Sequence, residues 1–114
     1  VLGDEVDVEV LMGFTPAVSS TDTELYRILE TTMQEAFPGS SFVPQVAGGF
    51  TDSHFLRDLG IVSYGFEATA TAQEDWGGVH GNDERVSEEN VRRGVGLTLQ
   101  IVQRLVTERE IMDR

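Results

Sequence analysis

The chain contains no cysteine and no lysine. The first absence excludes disulfides, a thiolate nucleophile and any cysteine-ligated metal. The second excludes a Schiff-base lysine and the lysine of a phosphate-binding P-loop. All eight basic residues are therefore arginines, against twenty acids, for a net charge of −12. Nucleic-acid binding needs clustered Lys and Arg, so this balance argues against it. No apolar run approaches the roughly 18 residues that span a membrane, so no membrane partner is expected. Val1 to Val10 holds four acids and no basic residue, which does not read as a signal peptide; the compartment stays open, with a soluble, cytoplasmic protein favoured over a secreted one. Also missing are H-E-x-x-H, G-x-G-x-x-G, EF-hand spacing and a G-x-S-x-G elbow, and with them the chemistries those motifs carry.

What is present fits one modest domain of 114 residues, 39% hydrophobic and 25% charged. Residues 5–12 alternate, with Val6, Val8, Val10 and Met12 on one face and Asp7 and Glu9 on the other, which predicts a half-buried strand. Thr21-Asp22-Thr23-Glu24 fits a capping box. Behind it Leu25, Ile28, Leu29, Met33, Ala36 and Phe37 follow helical spacing until Pro38-Gly39, and Met33 and Phe37 read as core. A second strand is expected over 41–47, and a short helix capped by Thr51 or Asp52 and ended by Gly60. Ile61 to Phe66 is nearly continuously apolar, as an interior strand is. The connection from Glu67 to Arg85 has no periodicity, and its stretch Ala68-Thr69-Ala70-Thr71-Ala72 is expected to be mobile. Ser87 caps a last helix running to about Glu110, whose apolar residues cover roughly 200° of its circumference. A surface helix needs about 100° or somewhat more, so this one predicts neighbours on two sides. The order of elements predicts an α/β layered sheet with helices on its faces.

Chemistry concentrates in Val79-His80-Gly81-Asn82-Asp83-Glu84-Arg85-Val86. His80 lies between Gly78 and Gly81, and glycine permits close approach of backbone to a ligand. Imidazole suits zinc and commonly leans on a carboxylate, with Asp83 and Glu84 near in sequence. An ordinary hydrogen-bonded loop histidine fits the same residues. Gly48-Gly49-Phe50-Thr51-Asp52 lies between a strand and a helix start, where backbone amides can face an anion. A tight turn followed by a cap accounts for the same residues, and on physical grounds alone is slightly favoured. His54, one turn into the short helix, reads as a surface or packing residue, and Trp76 either lines a pocket or pins its loop.

Three segments, Gly48 to Phe55, Leu59 to Phe66 and Val79 to Val86, occur in an order and spacing that resembles the C-terminal part of the zinc-dependent aminoacylase and carboxypeptidase family. That group includes glutamate carboxypeptidase, carboxypeptidase S and succinyl-diaminopimelate desuccinylase. Pro16 to Phe37 also resembles the family's return from an inserted lid domain. The resemblance implies a zinc-exopeptidase-like catalytic domain with a sheet and flanking helices. Residues 1–14 would be the last strand of the lid, and residues 15–114 the C-terminal part of the catalytic domain. It implies two zinc ions per active site in the intact protein, His80 as one metal ligand, and Gly48 and Gly49 in the loop that lies against the substrate's carboxylate or backbone. The implied substrate is an N-acyl amino acid or short peptide, cleaved by metal-activated water, in a homodimer joined through the lid. The family's remaining ligands and its general base have no counterpart in these residues. A fragment that is inactive alone and binds zinc weakly is therefore expected. The contrasting expectation is an independent, non-enzymatic α/β binding or assembly module.

Overall fold

A computed structural model describes residues 6–46, 49–70, 78 and 80–112. Three helices form: α1 (Glu24–Ala36), α2 (Ser53–Asp58) and α3 (Glu88–Met112). Each is stopped or started by the residue types its ends require. At α1 the cap is Thr23, two residues after the start of the expected box; its hydroxyl accepts the Tyr26 N–H at 3.1 Å. The chain leaves α1 through Pro38 and Gly39, with Gly39 at φ 86°. Gly60, at φ 76°, ends α2 and lets the Ile61 N–H return to the Leu56 carbonyl at 2.9 Å. At α3 the Ser87 hydroxyl accepts the Asn90 N–H at 3.1 Å, and Glu88 and Glu89 occupy the first turn.

Among the described residues there is no strand, which corrects the expected α/β sheet. The alternating run Val6 to Met12 is exposed on both of its faces. Ile61 and Val62, expected inside a sheet, are about half exposed. The physical reason is that a strand is defined by its ladder: its N–H and C=O groups need a neighbour. Apolar alternation records a fit to a pleated surface, not an intrinsic backbone preference. Among the described residues none of the three strand-like segments forms a backbone ladder with another, although Phe42 and Phe66 bring two of them together at 6.2 Å between ring centroids.

The core instead lies between α1 and α3. Ile28 and Leu29 of α1 meet Ile101 of α3, with Leu25 and Leu105 packed against them. Phe42, Tyr64 and Phe66 from the irregular segments cover this nucleus. Burying each aliphatic side chain here stabilises by about 1.5–3 kcal/mol. Met33 and Phe37 are only partly buried, and Arg93 lies over the Phe37 ring at 5.5 Å. Residues 68–70 are not loose: Ala68 is buried, and the Ala70 N–H donates to Asn90 Oδ1 at 3.0 Å. Gly94 makes this approach possible, because a Cβ there would stand 3.2 Å from the Ala68 carbonyl oxygen. Thr71 and Ala72 lie outside the described residues.

Among the described residues, the wide apolar arc on α3 is buried on one side. Leu97 and Ile101 are buried, whereas Val91, Val95, Leu99, Val102 and Val106 remain about half exposed or more. The radius of gyration is 18.4 Å, against about 13 Å for a closely packed domain of this length. Open apolar surface and an expanded shape are two expressions of one fact: this chain encloses a small core. Among the described residues, no helix is long and apolar enough to cross a membrane.

Candidate functional site

The turn over residues 78–83 is built by its glycines. The Gly81 N–H donates to the Gly78 carbonyl at 2.9 Å. A Cβ on Gly78 would stand 3.2 Å from Glu84 Cα, and one on Gly81 would stand 3.3 Å from the Gly78 carbonyl oxygen. The glycines therefore serve close approach of the turn to itself. His80 and Asp83 both take left-handed backbone, at φ 60° and 63°. Non-glycine residues adopt this region at a cost, and such positions cluster at functional sites. His80 is exposed. Val79 and Trp76 lie outside the described residues.

A turn holding one outward imidazole does not make a metal centre. No group of three or more His, Asp or Glu side chains among the described residues is placed to hold a metal ion. A catalytic zinc takes three protein ligands and a water. The described residues thus do not fit a complete zinc site.

Gly49 precedes Phe50 and the start of α2, and Gly48 lies outside the described residues. The first amides of α2 are engaged locally. The His54 N–H donates to the Thr51 carbonyl and the Phe55 N–H to the Asp52 carbonyl, both at 3.1 Å. Asp52 stands at the cap position, but its side chain makes no capping bond.

The structure gathers something else at this end of the molecule. Phe14 stacks on Phe50 at 4.5 Å between ring centroids, and Phe55 meets them edge-on at 6.0 and 5.7 Å. His54 fills the middle, 5.0–5.6 Å from all three rings, with its Nε2 3.2 Å from Asp58 Oδ2. The packing role read for His54 is the one observed. Phe14 was legible only as part of a connector. The clue lay in Phe50, His54 and Phe55 falling within six residues, but no local pattern brings Phe14 to them.

Beside this cluster, α2 is locked to the segment before α1. Ser19 donates to the Ser63 carbonyl at 2.9 Å and accepts the Ser63 N–H at 3.1 Å. Arg57 Nε donates to the same carbonyl at 3.0 Å. The Tyr64 hydroxyl donates to the Ser20 carbonyl at 2.6 Å and receives the Thr23 hydroxyl at 2.5 Å. These bonds hold the 19–23 segment against residues 63–64.

Comparison with known proteins places these features. Residues 4–104 match the model of peptidase family M20/M25/M40. The chain is 34% identical over 107 residues to the N-fatty-acyl-amino acid synthase/hydrolase PM20D1 of Xenopus tropicalis, covering 92% of this chain and 21% of that protein. It is 29% identical to the Mus musculus protein of the same name and 30% identical to the Homo sapiens one, each over 114 residues, 96% of this chain and 23% of the relative. The chain thus spans about a fifth of the length of these relatives. No solved structure matches. On a family match that takes in most of its length, this chain belongs to peptidase family M20/M25/M40.

Proposed function

We propose that this chain is part of a zinc-dependent amidohydrolase that cleaves the amide bond of N-acyl amino acids. The observation that carries the reading is the alignment, over 92–96% of the chain, with proteins named as N-fatty-acyl-amino acid synthase/hydrolases. In this reading residues 15–114 belong to the catalytic domain and residues 1–14 to the end of an inserted lid, through which the intact protein dimerises. His80 contributes one ligand to a two-zinc site whose other ligands lie outside these residues. Its left-handed backbone and exposed side chain support that role. Gly48 and Gly49 border the substrate. Because the described residues do not complete a zinc site, no step of hydrolysis is assigned to this chain, and it is inactive alone.

The test uses the full-length natural protein. His80→Ala is expected to lower zinc content, measured by mass spectrometry of the metal, together with hydrolysis of an N-acyl amino acid. Unchanged values of both would sink the assignment. Zinc titration of the 114-residue chain is expected to show weak binding, and a tight stoichiometric site would contradict the one-ligand reading.

One observation favours a second reading, a non-enzymatic assembly module: the half-open stripe Val91, Val95, Leu99, Val102 and Val106 on α3. Exposed apolar surface of this kind marks association. A natural gene product of about this length, forming a concentration-dependent oligomer, would select it.

A further inference from the structure

The ring cluster at Phe50 is an unusual surface for a chain of net charge −12. Phe14, Phe50 and Phe55 touch one another, yet 42%, 54% and 51% of their respective surfaces stay open. The polar edge of the central imidazole is directed at Asp58, so His54 supports the rings with its body. Three segments build the patch: the connector holding Phe14, the loop holding Phe50 and helix α2 holding Phe55. It has no helical or strand period, unlike the aliphatic stripe of α3, whose regular spacing suits another protein element. Phe50 directly follows Gly49, so the patch is continuous with the loop proposed to border the substrate.

We propose that Phe14, Phe50 and Phe55 form the platform on which the acyl chain of the substrate lies, an inference that rests on the N-acyl amino acid reading above. Aromatic rings present large apolar area with few rotors of their own, and these are held by mutual contact. A long acyl chain has many rotors to lose on binding, so a surface fixed in advance lowers the cost of ordering it. The patch is apolar and irregular, so it selects for acyl length without reading a sequence.

The experiment measures kcat/KM of the full-length natural protein for an acyl series, from N-acetyl to N-dodecanoyl, on one amino acid. In the Phe50→Ala and Phe55→Ala variants the ratio of dodecanoyl to acetyl kcat/KM is expected to fall about tenfold, the scale of lost apolar contact in a binding pocket. Phe50→Leu, which retains an apolar side chain, is used where an alanine variant loses its melting transition, and a smaller fall in the ratio is expected for it. A ratio equal to wild type in folded variants overturns the platform and leaves the hydrolase reading intact. Absence of hydrolysis at every acyl length in the wild-type protein overturns both. An experimental structure of the full-length protein with another protein segment lying over the three rings also overturns the platform.

Discussion

Arg104 of α3 and Glu35 of α1 meet at 2.5 Å, at the edge of the only helix pair that encloses a core among the described residues. The same guanidinium donates through its other terminal nitrogen to Thr32 Oγ1 at 3.3 Å. Thr32 is the most deeply buried side chain described, 1% exposed. The two bonds differ in worth. The ion pair is partly exposed and adds at most about 1 kcal/mol. Removing the donor from a buried hydroxyl costs about 1–3 kcal/mol.

Arg104→Met should therefore destabilise the chain by more than Glu35→Gln does. The expected loss is about 1–2 kcal/mol for the first and below about 1 kcal/mol for the second. Urea unfolding monitored by helical circular dichroism measures both. Equal losses would show that the Thr32 contact contributes nothing.

Two glycines on α3 should respond in opposite ways to the same substitution. Gly96→Ala meets nothing within 4 Å and gains helix propensity, about 1 kcal/mol of stabilisation. Gly94→Ala gains the same propensity, but its Cβ would press at 3.2 Å on the Ala68 carbonyl oxygen and at 3.3 Å on Thr69 Cγ2. Gly96→Ala should raise the melting temperature, and Gly94→Ala should leave it level or lower it. A rise of equal size in both would mean that residues 68–69 do not pack on α3.

Tyr64→Phe keeps the ring against Tyr26, whose centroid is 5.8 Å away, and removes only the hydroxyl that joins Ser20 and Thr23. The expected loss is about 1 kcal/mol. Thr23→Ala loses the α1 cap as well, about 1 kcal/mol in its own right. Because the two hydroxyls share a bond, the double variant should lose less than the sum of the singles, by about 0.5–1 kcal/mol. Additive losses in denaturant unfolding would place the two hydroxyls apart.

At His80 the left-handed backbone sets a stability order that is independent of the proposed ligand role. Left-handed geometry costs an L-residue roughly 1–2 kcal/mol, whereas glycine adopts it freely but loses more entropy on folding. His80→Gly should be at least as stable as the parent, and His80→Val, β-branched, should be less stable by about 1 kcal/mol. Thermal melts of the two variants check this order. On the proposed ligand role of His80, both variants of the full-length protein should also hold less zinc, since neither supplies an imidazole.

Local rules read from the residues located the helices to within a few positions. Pro38-Gly39, Gly60 and Ser87 act at helix ends, where one side chain or one glycine decides the outcome. The residue pattern also marked His80 and its glycines as unusual and carried the family resemblance, which the match over residues 4–104 supports. Long-range contact decided the rest. The apolar runs at 5–12, 41–47 and 61–66 satisfy a strand's pattern, but a strand exists only when another chain segment supplies its hydrogen bonds, and no pattern within a run states that. Likewise α3 advertises two apolar sides, while packing against α1 buries only one. The association of Phe14 with Phe50, His54 and Phe55 spans about forty residues of sequence and leaves no periodic trace, so only the tertiary structure brings them together.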